Sequence, residues 1–188
     1  VRFLYSVGGM YRAYNGNLLY HGCIPMQEDG AFASFEIDGQ FSRGRELLDR
    51  IDRLVRQAYF ATNPEQQQVG QDMMWYLWTG ARSPLFGKQK MATFERYFVD
   101  HKATHEERRN PYYDFRDKPE TVRRILEEFG MDPERSHIIN GHVPVKVRKG
   151  ENPVKAGGRL LVIDGGFSKA YQGQTGIAGY TLIFNSYG

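Results

Sequence analysis

The chain has 188 residues, with 25 lysines and arginines against 22 acids, a formal charge of +3, and 40% hydrophobic and 25% charged residues. This balance suits one folded domain with a sizeable core and excludes a disordered chain. The basic excess is too small to imply nucleic acid, yet it is compatible with a small anionic substrate.

Leu18 to Tyr20 reads as a short buried strand entering the loop HGCIPM. FASFEIDGQF, Phe32 to Phe41, alternates apolar and polar residues around Asp38-Gly39, a hairpin or strand-end signal. From Arg43 to Tyr59 the apolar spacing Leu47, Leu48, Ile51, Leu54, Val55, Ala58 predicts an amphipathic helix. Asn63-Pro64 caps and starts a second helix that stops near Gly80, and its aromatic density predicts burial on more than one face. TFERYF suits strand or helix, and the polar stretch DHKATHEERRNPYYDFRD reads as an extended excursion.

Asp117 and Glu120 have capping-box spacing ahead of the stripe Val122, Ile125, Leu126, Phe129, and Gly130 ends that helix. Strands are expected at His137 to Ile139, at Leu160 onward in LLVIDGG, and at Tyr180 to Phe184. No apolar run has the length of a membrane span, and no signal-peptide pattern opens the chain. The one cysteine, Cys23, cannot close an internal disulfide, which favours a reducing, cytoplasmic setting.

Three expected strands end in a polar residue beside glycine: His21-Gly22, Gly141-His142 and Asp164-Gly165-Gly166. Strand ends are where α/β proteins gather their sites, and neutral imidazoles are good ligands for divalent metals. On spacing alone, a hydrogen-bonded and partly buried ring is the commoner use of such a histidine. His101 and His105 are four apart, but Lys102 stands where a zinc-protease helix needs glutamate, so a solvated loop is expected. Cys23 reads as a small packed thiol rather than a nucleophile. Arg82, Lys88, Arg96 and Lys146 are candidate phosphate binders, with Arg82 and Lys146 favoured by their loops. Asp164 would accept a ligand hydrogen bond or cap a turn.

The blocks LLYHGCIPM, WYLWTGARSPLFGKQKMATFERYF, THEERRNPYY, NGHVPVKVRKGENPVKAGG and LLVIDGGFSKAYQGQTGIAGYTLIFNSYG resemble the class III fructose-1,6-bisphosphatases of bacteria over nearly all of the chain. That resemblance implies the calcineurin-like metallophosphatase fold, an α/β (α+β) architecture in which a β-sandwich is flanked by helices. It implies two divalent metals, manganese being the expected ion. By the same resemblance His21 in HGCIP and His142 in NGHVPVK map to metal ligands.

The superfamily's GDxxDR and GNH segments do not occur in the sequence, and Val1 is not methionine. The family's proteins are about three times this length. The chain is therefore expected to be the C-terminal part of one catalytic domain, residues 1–188, inactive alone and prone to dimerise or aggregate through exposed sheet edges. For the complete enzyme the resemblance implies hydrolysis of the 1-phosphate of fructose 1,6-bisphosphate by metal-activated water, in gluconeogenesis. Other expectations are a protein or nucleotide phosphatase of the same superfamily, or a non-catalytic module that binds sugar phosphates. A sugar bisphosphate is the expected partner, with neither nucleic acid nor membrane.

Overall fold

A computed structural model of the protein describes residues 1–183. In chain order it begins with α1 (Arg2–Val7), β1 (Tyr11–Tyr14), β2 (Asn17–Tyr20), β3 (Phe35–Ile37) and β4 (Gln40–Ser42). Helices α2 (Gly44–Phe60), α3 (Pro64–Thr79), α4 (Thr93–Phe98), α5 (Tyr112–Phe115) and α6 (Pro119–Glu128) follow. The chain continues through β5 (His137–Asn140), β6 (Val154–Lys155), β7 (Leu160–Val162) and α7 (Lys169–Thr175). The class is α+β, a mixed sheet with helices flanking it, as expected. The chain divides into two compact units, Val1–Tyr11 with Cys23–Phe115, and Arg12–Gly22 with the residues from Arg116 onward.

The first unit is built on the expected amphipathic helix. Leu47, Leu48, Ile51, Val55 and Ala58 are the buried stripe of α2. Leu47, Ile51 and Val55 form a core with Leu77 of α3 and Ile37 of β3, edged by Leu54, Met73 and Leu85. Each such side chain stabilises the fold by about 1.5–3 kcal/mol relative to exposure. The β3–β4 hairpin turns at Asp38 (φ 51°) and Gly39 (φ 72°), the left-handed pair that a two-residue turn needs. Asn63 caps α3 by accepting from the Glu65 backbone N–H at 2.8 Å.

Helix α3 corrects one expectation. It buries only Gly70 and Leu77, whereas Trp75 and Trp78 remain 65% and 63% exposed. Aromatic density had suggested burial on several faces, but within this unit α3 packs chiefly on α2. At Gly70 the helices touch: an added Cβ would lie 2.2 Å from the Ala58 Cβ. Gly70→Ala should gain about 1 kcal/mol of helix propensity and lose about 1–3 kcal/mol to overpacking. We expect a lower urea midpoint for this variant; an equal or higher one would show that the helices separate freely.

TFERYF is helix α4, with Phe94, Tyr97 and Phe98 all solvent-exposed. The polar excursion is less extended than expected, because it contains a 3-10 turn at Lys102–His105 and then α5.

The second unit is a five-stranded sheet in the order β1-β2-β5-β7-β6. Asn15 (φ 48°) and Gly16 (φ 70°) make the tight turn between β1 and β2. β2, β5 and β7 run parallel, with Leu18 beside Ile138 and Ile138 beside Leu160, and β6 joins antiparallel. Leu18, Ile138 and Leu160 share one face of the sheet and are essentially inaccessible to solvent, whereas Leu19, on the other face beside Ile139, is exposed. The stripe Val122, Ile125, Leu126 and Phe129 of α6 is buried as expected, and Gly130 turns out of it at φ 71°.

The capping box at Asp117 does not form. Lys118 is the cap residue and makes no side-chain cap bond. Asp117 instead accepts from Lys155 Nζ at 2.8 Å and lies 3.5 Å from Arg116 Nε. A full ionic partner outcompetes a backbone amide for that carboxylate. The strand expected at Tyr180 to Phe184 is not formed where it is described: Gly179 bridges Asp164 and Tyr180 N donates to Ile163 O, but no strand follows over 180–183. Phe184 lies outside the described residues.

Candidate functional site

Because β2, β5 and β7 are parallel, their C-terminal ends share one edge of the sheet. Those ends deliver His21, Gly141-His142 and Ile163-Asp164. His21 Nε2 and His142 Nδ1 stand 3.0 Å apart, and the two rings meet edge to face at a 67° angle. One proton fits between two nitrogens at that distance, so one ring donates and the other accepts. Partial burial lowers the His21 pKa, against a smaller raising effect from the Asp164 charge. Desolvation thus favours the neutral ring, the form that binds metals.

The backbone explains the convergence. His142 sits at φ 65°, in the left-handed region that few non-glycine residues adopt. The sharp bend is locked by Val143 N donating to Gly141 O at 2.8 Å, and by Gly141 N donating to His21 O at 3.2 Å. Beneath both loops lies Asn140, the last residue of β5 and 1% exposed. Its Nδ2 donates to Gly22 O at 2.8 Å and His21 O at 3.1 Å, with a longer contact to Tyr20 O. Its Oδ1 accepts from Arg116 Nη1 at 3.3 Å. Asn140 therefore stitches the end of β5 to the loop that carries His21. Sequence reasoning passed over it, although it stands in the same NGHVPV run.

The other expected residues scatter. Asp164 is in the same unit and half-buried; its Oδ1 accepts from Gly166 N at 2.8 Å and its carbonyl accepts from Val145 N. The turn-capping use of Asp164 is therefore present. Lys146 is half-buried with its backbone N–H on Glu151 Oε2, and its ammonium has no carboxylate within ion-pair distance among the described residues. Arg82, Lys88 and Arg96 belong to the other unit. Arg82 is exposed, with Nη1 3.4 Å from Ser34 O. Lys88 Nζ is 2.6 Å from Glu107 Oε2, and Arg96 lies 3.7 Å from the same oxygen. Lys88 is thus held by a structural partner.

Burial would raise the Glu107 pKa, but Lys88, the Ala92 N–H and Arg96 together hold it below the usual glutamate value. A carboxylate depressed in the fold stabilises fully above its unfolded pKa, and that stability is lost as pH falls through the folded value. Between pH 6 and pH 3 the urea midpoint of the native chain should fall more steeply than that of Glu107→Gln. Parallel curves would remove Glu107 from the acid response.

Cys23 is buried, its Sγ 3.9 Å from Ser83 O, and burial pushes its pKa far up, as expected of an inert packed thiol. His105 Nε2 pairs with Val99 O at 2.7 Å, within the loop expected for it.

The donor set at His21 and His142 fits a borderline divalent cation, which takes imidazole nitrogen readily. Two donors are fewer than a stable site uses. Among the described residues no group of three or more His, Cys, Asp and Glu side chains gathers to hold a metal.

Comparison with known proteins adds a second line of observation. A family model described as Firmicute fructose-1,6-bisphosphatase matches residues 1–188. The chain is 60% identical over its whole length to the class 3 fructose-1,6-bisphosphatase of Clostridium botulinum strain Hall. It is 59% identical, again over its whole length, to that of Clostridium novyi strain NT. It spans 28% of the length of these curated relatives. No solved structure matches it.

Proposed function

The chain belongs to the Firmicute fructose-1,6-bisphosphatase family, and from that premise we propose that the complete protein carrying it is a phosphoric monoester hydrolase. Its substrate is fructose 1,6-bisphosphate and its products are fructose 6-phosphate and phosphate, the gluconeogenic direction. The chain forms the C-terminal part of the catalytic domain. The observation that carries the reading within this chain is the approach of His21 and His142 to 3.0 Å at the ends of parallel strands. The 60% identity to enzymes of that name supports it.

His21 and His142 would hold divalent metal, with manganese as the proposed ion. Such an ion, when bound, supplies Lewis acidity toward a phosphoryl oxygen. This chain's residues contribute two neutral ring nitrogens. Asn140 fixes the His21 loop, and Asp164 adds negative charge facing His21. Lys146 is the proposed phosphate contact in the unit that holds the histidine pair, and Arg82 is a separate phosphate candidate within the other unit; neither has a carboxylate partner among the described residues. Lys88 is a weaker choice, being held by Glu107. No helix among the described residues is long and apolar enough to cross a membrane. We place the protein in the cytoplasm, acting on a soluble sugar phosphate.

The test is a turnover assay of the complete protein with manganese, on fructose 1,6-bisphosphate beside a phosphopeptide and a nucleotide. Rapid release of phosphate from the sugar alone is expected, with little or none from the 188-residue chain by itself. Preference for the phosphopeptide or nucleotide would move the protein to another branch of phosphatases. Sugar-phosphate binding without turnover of any substrate would make it a binding module.

A further inference from the structure

Helices α1, α2 and α3 of the first unit border an open groove of about 650 Å³. Gly70 and Ala58, where α2 and α3 touch, line it together with Tyr5, Tyr59, Trp75 and Trp78. Tyr59, Met74, Trp75 and Trp78 are all exposed. Trp75 and Trp78 meet edge to face with ring centroids 5.6 Å apart, and Tyr5 stacks on Tyr59 at 4.2 Å. Phe60, also exposed, carries the aromatic surface on from Tyr59. Apolar side chains scattered singly over a surface are ordinary, but a group converging on one groove marks an interaction site.

The chemistry of the lining and the position of α1 select the occupant. Among the described residues no side chain that lines the groove is charged, so a phosphate or other ion meets no counter-charge there. Tryptophan, tyrosine and methionine without charge are instead the composition of the core of a protein interface. One rim of the groove is α1. Arg56, paired with Asp52 at 2.6 Å, donates to the carbonyls of Tyr5 and Gly8 and so pins α1 to α2. Phe3, Leu4 and Val7 of α1 are exposed as well. Polypeptide leading into α1 therefore passes along an apolar rim. The chain spans 28% of the length of its curated relatives, so most of their length lies outside the matched region. A segment tethered beside a groove reaches it at a high effective concentration, whereas a second copy must associate from solution.

We propose that this groove is an internal interface of the complete protein, filled by apolar side chains of the polypeptide that precedes Val1. Those side chains pack on Tyr59, Trp75 and Trp78 and remove them from water. The aromatic composition of α3, which suits a helix buried on more than one face, is then accounted for. The proposal rests on the reading that the chain is the C-terminal part of a longer catalytic domain. It does not depend on the substrate or on the histidine pair, since none of the groove residues belongs to the unit that holds that pair.

The experiment uses the complete protein and has two parts. Hydroxyl-radical oxidation is read at Trp75 and Trp78 by peptide mass spectrometry, native beside unfolded in guanidinium chloride. Oxidation of both indoles should be about tenfold or more slower in the native protein, because the packed core of an interface leaves little of a side chain accessible. Rates close to the unfolded ones, as 65% and 63% exposure would give, overturn the proposal. The second part identifies the occupant. Gln71, an exposed residue of the groove, is replaced as Gln71→Cys and carries a benzophenone. On illumination it should link within one polypeptide to residues preceding Val1, with a yield independent of protein concentration. A link between two polypeptides would make the occupant a second copy and overturn the proposal, as would a link only to residues after Gly188 or no link at all. Turnover is assayed separately, so an exposed groove on an active enzyme defeats this proposal and leaves the hydrolytic reading standing.

Discussion

Loss of either ring from the histidine pair should collapse turnover of the complete protein on fructose 1,6-bisphosphate. Removing a group that merely orients a metal ligand costs about 10–100-fold, so removing the ligand should cost at least about a hundredfold. His21→Ala tests one side. For the other, His142→Gly is the sharper variant. His142 sits at φ 65°, where glycine is at ease and alanine is strained. Thermal stability of His142→Gly should be unchanged or slightly raised while bound manganese and turnover fall together. That split separates a ligand from a structural ring. Full activity and full metal content in both variants would make the pair structural, whatever the family. A fall in stability that tracks the fall in activity would do the same.

Asn140→Ala should produce the largest loss of stability from a single polar side chain. It removes the donor to Gly22 O and His21 O, and the acceptor for Arg116 Nη1, from a residue that is itself 1% accessible to water. Each buried group left without a partner costs about 1–3 kcal/mol, and His21 O keeps a second bond from Gly141 N. The expected total is about 2–3 kcal/mol by urea unfolding. Asn140→Asp should be no better, because a carboxylate would face carbonyl oxygens where an amide now donates. The same variants should loosen the His21 loop and weaken manganese binding in the complete protein. A stability change under about 0.5 kcal/mol would show that the loop holds without Asn140.

The regular elements with strong periodicity were open to reading from the sequence. The stripes of α2 and α6, the Asn63-Pro64 start of α3 and the Asp38-Gly39 turn each follow from forces among near neighbours in the chain. Features that depend on distant partners were not. Asp117 had the spacing of a cap, yet Lys155, far along the chain, claims its carboxylate. The tryptophans of α3 had the composition of a core helix, yet they face outward because the unit offers that helix one packing face. β6 is two residues long and exists by pairing with β7, so no local pattern announces it.

The candidate site divides along the same line. The sequence alone determined that His21 and His142 each follow an apolar strand beside a glycine, and its long blocks determined the family, since such a match needs no coordinates. Only the tertiary structure decided that parallel pairing of β2, β5 and β7 brings those strand ends to one edge. It alone decided that the two rings meet at 3.0 Å, that Asn140 anchors the loop beneath them, and that Lys88 is held by Glu107. The physical reason is range. Propensity, capping and turn chemistry act over a few residues, whereas the contacts that position a site join residues more than a hundred apart, as His21 and His142 are.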